Sequence, residues 1–162
     1  MPVATIDTYA ATNPALCSVV LRAFFEGYTE ADNDGAPIPL AILPLPIVLT
    51  EHIARTIEPT NVTTGLLPWI VRNQEVTIGL WERVTKSARY SKKALLFGIR
   101  YRIIDVTSAG RLISIKNGLS KQPRFAASTE PGRAIRFAKR LGVWMGEVRD
   151  MDTIFISLGI NR

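Results

Sequence analysis

The chain has 162 residues, of which 47% are hydrophobic. This is enough for a real core and argues against wholesale disorder. Its single cysteine, Cys17, excludes an intrachain disulfide. Together with the lack of a signal peptide, it predicts a cytoplasmic location.

The formal net charge of +6 is unevenly distributed. Residues 1–80 carry three basic and eight acidic side chains, a balance of −5. Residues 81–162 carry 17 basic and six acidic side chains, a balance of +11. Such asymmetry often marks a half that faces nucleic acid joined to a half that faces protein. A solvated basic surface is the alternative.

The pattern predicts a single compact domain over residues 1–162 that is mainly α and carries a small β-hairpin. Its first part, residues 1–60, is predicted to be helical. Asn13 can cap a helix whose first residue is Pro14, where the missing N–H costs nothing. The apolar residues that then recur at helical spacing are Leu16, Val19, Val20, Ala23, Phe24 and Tyr28.

A proline-rich apolar segment follows. Residues 38–46 are predicted to be extended and buried, because their prolines oppose both a regular helix and a central strand. The apolar run from Ile38 to Leu49 has only 12 residues. A bilayer requires about 20 apolar residues, so no membrane span is expected here. A short helix bearing Ile53 and Ile57 should end at Pro59.

The second part, residues 61–130, is predicted to be a winged-helix-like unit. Three helices are expected, and their limits are 64–72, 74–87 and 92–104. Asn117-Gly118 is a strong two-residue turn signal between strand-like runs, which predicts a hairpin that would form the wing.

The third of these helices contains KKALLFGIRYR, residues 92–102. On a helical wheel its apolar side chains form two faces, so we expect it to be buried on two sides with its basic side chains reaching outward. It has no Asn or Gln to read base edges. Non-specific phosphate contact, through Lys92 and Lys93 at its start and through the wing, is the remaining nucleic-acid hypothesis.

The third part, residues 131–162, should hold a helix from Arg133 to about Gly146 and a tail, TIFISLGI, that fits either a strand or a short helix. The three tryptophans Trp69, Trp81 and Trp144 lie within helical patterns. A position in the core or at a subunit contact is therefore favoured over stacking on bases.

Catalytic chemistry has little support. His52 is the only histidine, so a cluster of histidine metal ligands cannot form within one chain, and no oriented partner for a general base is visible. Cys17 lies in an apolar helix and is expected to be a structural thiol. No phosphate-binding glycine loop occurs. We therefore expect a protein without enzymatic activity, cofactor or metal.

Several segments resemble, in the same order along nearly the whole chain, the middle component of three-component ABC systems. They are NPALCSVVLRAFFEGY, IPLAILPLPIVLTEHIARTI, SKKALLFGIRYR and AIRFAKRLGVWMGEVRDMDTIFISLGI. The most characteristic features are the Asn-Pro-Ala start at residues 13–15, the Leu-Pro segment at 43–49, and Leu-Gly-x-Trp at 141–144 followed by Thr-Ile-Phe at 153–155.

The resemblance implies a small winged-helix-type adaptor without catalytic residues. Such an adaptor would bind an SMC-like coiled-coil ABC ATPase, contact DNA non-specifically and help to control a variable effector subunit, often a nuclease. Lamassu antiphage systems are of this kind. Two alternatives remain, a free-standing winged-helix transcriptional regulator and an unrecognised enzyme.

Two sets of candidate residues follow. The nucleic-acid-contact candidates are Lys92, Lys93, Lys116, Lys121, Arg124, Arg133, Arg136 and Arg140. The partner-contact candidates are Trp69, Trp81, Trp144 and Phe155.

Overall fold

The computed structural model describes residues 13–116, 126 and 129–160, and this part of the chain is mainly α with one small antiparallel sheet, as predicted. The helices are α1 Pro14–Ala31, α2 Pro44–Val48, α3 Glu51–Ile57, α4 Leu66–Arg72, α5 Leu80–Arg100, α6 Glu130–Val148 and α7 Met151–Ser157. The strands are β1 Ala36–Pro37, β2 Ile104–Val106 and β3 Arg111–Ser114, and two 3₁₀ segments cover Ile38–Ile42 and Gln74–Thr77.

Helices α1 and α6 form the centre of the molecule. Helix α1 begins at Pro14 as predicted, whereas α6 begins at Glu130, three residues before the predicted start at Arg133. The side chain of Asn13 caps α1 by accepting a hydrogen bond from the Leu16 amide at 3.1 Å. The two helices cross so closely that a Cβ added at Gly142 would lie 2.0 Å from the carbonyl oxygen of Phe24. A Cβ added at Gly27 would likewise lie 2.0 Å from the carbonyl oxygen of Lys139 in α6. Glycine at these positions therefore permits direct backbone contact between the helices.

The Leu-Pro segment is buried as predicted except at its start, where Ile38 and Pro39 are exposed, and the prediction of an extended conformation was wrong. It forms a 3₁₀ segment followed by α2. Pro39 and Pro44 lie in the first turns of these short helices, where a missing N–H breaks no hydrogen bond. The prolines therefore start helical turns in this segment, and they do not prevent them.

The helix boundaries predicted for the region of α5 were wrong. The helices predicted at 74–87 and 92–104 are instead a 3₁₀ segment and one continuous helix of 21 residues. Ser91 was expected to cap a new helix, but it is buried within α5. Packing of α5 against α1 overrides the local capping preference of serine. The helix ends at Arg100, and Ile104 belongs to β2.

The small sheet has the order β1-β3-β2, and both of its pairings are antiparallel. β2 and β3 form a hairpin whose turn contains Gly110 at φ +76°. The hairpin predicted around Asn117-Gly118 lies outside the described residues. The strand RLIS at 111–114 is β3, and it pairs with β2, which precedes it in the chain. The described residues do not confirm a winged-helix arrangement.

The tail forms a helix, α7, and so resolves the choice left open by its sequence. The Asp150 side chain caps α7 by accepting from the Thr153 amide at 3.2 Å. Ile154 and Phe155 are buried.

Within the described ranges no single helix is long and apolar enough to cross a membrane. One pair, Ile38–Val48 with Glu51–Ile57, meets that test jointly by length and composition and is bent by 98°.

Candidate functional site

The outer side of α5 is strongly basic. Five exposed cations point within an arc of about 120° when the helix is drawn at 3.6 residues per turn. We call this set the basic face, and it consists of Lys86, Arg89, Lys92, Lys93 and Arg100. Along the helix axis it extends for about 21 Å at 1.5 Å per residue.

The buried side of α5 explains this orientation. The inward residues are spaced alternately four and three residues apart, and their side chains are smaller toward the C-terminal end of the helix. They are Leu80, Val84, Ser87, Ser91, Ala94 and Gly98. A single apolar and small-residue seam holds the helix against the core, so the residues opposite it must face solvent.

Few carboxylates balance the basic face. Lys86 pairs with Glu82 at 2.9 Å within the same helix. The Arg89 guanidinium lies 4.7 Å from the ring centroid of Tyr90 and donates to its hydroxyl. Among the described residues, no carboxylate lies within 4.0 Å of Lys92, Lys93 or Arg100. This surface is therefore a candidate site for a polyanion.

Three of its residues, Lys86, Arg89 and Arg100, were missed by sequence reasoning. The sequence prediction divided α5 into two separate helices. The outward direction that the cations of the two halves share could therefore not be seen. The same division placed Lys92 and Lys93 at a helix start. They lie in the middle of α5, where backbone N–H groups are already hydrogen-bonded within the helix, so any phosphate contact must come from their side chains.

The arginines of α6 do not form one open stripe. Arg133 pairs with Glu58 at 3.6 Å and with Glu51 at 3.9 Å. Arg136 is exposed and lies against the Phe137 ring at 5.3 Å. Arg133 is thus engaged with α3 and the residue that follows it, and Arg136 is the member most available to a ligand.

Arg140 is half-buried and connects α6 to the end of α3. Its guanidinium donates to the carbonyl oxygen of Ile57 at 2.8 Å and to the hydroxyl of Thr60 at 3.2 Å. Burial lowers the pKa of Arg140, the nearby charge of Arg136 lowers it further, and Glu58 opposes both effects. Its first role is to join two elements.

Of the three nucleic-acid-contact candidates on the predicted wing, the structure describes one. Lys116 is exposed just beyond β3. Lys121 and Arg124 lie outside the described residues. Their contact with nucleic acid stays a prediction.

Three of the four predicted partner-contact residues are buried. Trp69 and Trp144 have no exposed surface, and their ring centroids are 5.5 Å apart. Trp69 Nε1 donates to the Thr56 hydroxyl at 3.0 Å, and Phe155 is 2% exposed. In this conformation these side chains stabilise the core and cannot reach a partner.

Trp81 differs, since it is 42% exposed. Other exposed apolar side chains lie on α4 and in the short link between the following 3₁₀ segment and α5. We call these residues the 67–81 surface, and they are Leu67, Val71, Ile78 and Trp81. Several exposed apolar side chains within one short segment make it a candidate for contact with a partner.

The remaining candidates for catalysis are isolated. His52 is exposed on α3. Cys17 is fully buried, and desolvation raises its pKa to about 12, so the thiol stays protonated at neutral pH. In the part of the chain that the structure describes, no group of three or more His, Cys, Asp or Glu side chains could hold a metal ion.

The family model described as ABC-three component (ABC-3C) system Middle Component 3 matches residues 5–162. Neither a curated protein nor a solved structure matches the chain.

Proposed function

Because the chain belongs to the Middle Component 3 family of ABC-three component systems, we propose that it is a non-enzymatic adaptor that holds the other components of such a system together. Its proposed partners are an SMC-like coiled-coil ABC ATPase and a variable effector subunit such as a nuclease. In this role the protein couples DNA sensing to the effector in antiviral defence.

The observation that carries the proposal is the division of one long helix between two kinds of surface. The N-terminal end of α5 contributes Trp81 to the 67–81 surface, and the rest of the helix carries the basic face. An apolar surface suits a protein partner, and a row of cations suits a polyanion. A rigid helix would keep the two ligands at a constant separation.

Non-specific DNA is the polyanion we propose for the basic face. Its length of about 21 Å corresponds to roughly six base pairs at 3.4 Å per step. Helix α5 has no Asn or Gln, the side chains that pair with adenine edges. Contacts with the phosphate backbone, without base reading, are therefore expected. The alternative of a sequence-specific regulator gains no support from this face.

Copurification tests the protein partner. The chain is co-expressed with the ATPase of its own system and analysed by size-exclusion chromatography at micromolar concentration. The wild type and Val106→Glu, a control at an exposed apolar residue of β2, should co-elute with the ATPase. Ile78→Glu combined with Trp81→Glu should elute separately, because a charge at a desolvated contact is strongly unfavourable. Separate elution of the wild type would disprove the adaptor proposal.

Salt-dependent DNA binding tests the basic face. Lys93→Glu with Arg100→Glu is compared with Arg55→Glu with Arg72→Glu, which changes the net charge equally at sites outside the face. The first pair should reduce the slope of log K against log[salt] by about two on a random duplex. Equal weakening by both pairs would show that only net charge matters.

A further inference from the structure

An open cleft of about 500 Å³ lies on another part of the molecule, where the sheet meets the junction of α6 and α7. It is formed by the start of the 3₁₀ segment after β1, by the β2–β3 turn and by the residues that join the two helices. Its lining residues include Ile38, Pro39, Arg111, Arg149, Asp150 and Met151. None of them belongs to the basic face or to the 67–81 surface.

Two arginines from distant parts of the chain line this cleft. Arg111 begins β3, and Arg149 follows α6. Among the described residues, no carboxylate lies within 4.0 Å of either guanidinium. Asp150 lines the same cleft, but its carboxylate caps α7 and already accepts two hydrogen bonds from Thr153. The two guanidiniums therefore retain unused capacity to donate to an anion.

The backbone at Arg149 is strained. Its dihedral angles are φ +66° and ψ −46°, and the amide of Asp150 donates to the carbonyl oxygen of Val148 at 2.7 Å. This is the rare classic γ-turn, which glycine adopts with less strain than any other residue. Strained non-glycine residues tend to occur at ligand-binding sites. Here the fold tolerates strain at a residue whose side chain lines a cleft.

Both guanidiniums also lie close enough to Tyr28 to affect the pKa of its hydroxyl. Burial raises the pKa of Tyr28, the charge of Asp32 adds to this effect, and Arg111 and Arg149 oppose it. The buried Tyr28 hydroxyl has no hydrogen-bond partner in the part of the chain described. Arg149 also donates a long hydrogen bond of 3.5 Å to the carbonyl oxygen of Ala31, at the C-terminal end of α1. This helix end is the negative group that Arg149 already faces.

We propose that this cleft binds an acidic peptide segment of a protein partner, with its carboxylates on Arg111 and Arg149 and an apolar side chain against Ile38 and Met151. Ile38 is 45% exposed, and Pro39 extends the apolar rim. Arginine binds carboxylates in bidentate geometry, and an apolar rim suits a peptide side chain better than a phosphodiester. The proposal rests on the adaptor function for the existence of a protein partner, but its test requires no other component.

The test uses fluorescence anisotropy with the full chain and a labelled hexapeptide of sequence Glu-Leu-Glu-Glu-Leu-Glu at low salt. Arg111→Ala and Arg149→Gly should each weaken binding about tenfold or more, since a charge-assisted hydrogen bond is lost. Arg72→Ala, which removes an exposed arginine elsewhere, should bind like the wild type. A peptide with Gln in place of Glu should not bind measurably.

Arg149→Gly separates binding from folding. Glycine relieves the strained backbone, so its melting temperature should equal or exceed that of the wild type while its binding is lost. Wild-type affinity in both arginine variants would overturn the proposal, as would an equal loss in Arg72→Ala. Stronger competition by a 12-base-pair duplex, with the same dependence on Arg111 and Arg149, would overturn it in favour of a phosphate site.

Discussion

At the scale of single residues, burial decides what an arginine of α6 does. Arg133, Arg136 and Arg140 recur at helical spacing and look equivalent in the sequence. In the structure Arg133 forms ion pairs, Arg136 is exposed and Arg140 donates to the backbone of Ile57. Reversing all three charges to test DNA binding would therefore also damage the fold, and Arg136 alone is the cleaner probe.

Arg140→Ala should reduce the free energy of unfolding by about 1–3 kcal/mol, because it leaves the Ile57 carbonyl without its charged donor. Arg136→Ala should change it by less than about 0.5 kcal/mol, as is usual for an exposed side chain. Urea denaturation of both variants measures the difference. Equal effects would show that the Arg140 hydrogen bonds add nothing to stability.

Cys17 should make stability depend on pH in the alkaline range. Its pKa is raised from 9.0 to about 12 in the folded chain, so above pH 9 the unfolded chain loses a proton that the folded chain retains. The free energy of unfolding should then fall by about 1.4 kcal/mol per pH unit from this group alone. Urea denaturation at pH 8 and pH 10 should show a steeper fall for the wild type than for Cys17→Ala. Parallel slopes would contradict the assignment.

At the scale of elements, the sequence predicted helices well where a cap and a long apolar period coincide. Helix α1 has Asn13 and Pro14 at its start, and α6 has a continuous apolar face, so the existence and direction of both were predictable. Helix α5 was misread because Ser91 resembles a cap in isolation. Its burial against the core is a tertiary effect that no local pattern contains. Lys86 and Arg89 of the basic face were missed for the same reason.

The contact between α1 and α6 should tolerate no side chain at Gly142. A Cβ there would lie 2.0 Å from Phe24 O and 2.9 Å from Tyr28 N, which are backbone atoms that cannot rotate away. Gly142→Ala should therefore reduce stability by about 3 kcal/mol or more. Gly98→Ala is the matched control, because its Cβ would meet side-chain atoms of Ile104, of which Cδ1 is nearest at 2.5 Å, and no backbone atom.

For Gly98→Ala the repacking of Ile104 and the better helix propensity of alanine should nearly cancel, with a net change of about 1 kcal/mol or less. Thermal unfolding followed by circular dichroism compares the two variants. A milder effect for Gly142→Ala than for Gly98→Ala would show that the helices can separate without cost.

At the scale of the whole molecule, the three predicted parts are joined by core contacts between distant residues. Trp69, from the second part, packs against Trp144, from the third. Trp144 also donates to the carbonyl oxygen of Asn61 at 3.2 Å. Helix α5 packs against α1 of the first part. The middle part thus obtains much of its core from its neighbours.

Residues 61–130 expressed alone should therefore be unfolded, whereas the full chain should fold and should unfold in one cooperative transition. Removing α1 and α6 exposes Trp69 and the inner side of α5, and a fragment of this size has little other apolar surface to bury. Amide dispersion in a proton–nitrogen NMR spectrum distinguishes the two cases. A dispersed spectrum for the fragment would show an independent winged-helix-like domain.

The sequence by itself determined the fold class, the family, the capped start of α1 and the apolar faces of the main helices. These depend on local periodicity and side-chain chemistry, which are present in every short window of the chain. Only the tertiary structure decided that α5 is continuous, which tryptophan reaches the surface, which arginines are occupied and where Arg111 meets Arg149. Those features depend on contacts between residues far apart in the chain, and burial against a distant element can override a local preference by more than that preference contributes.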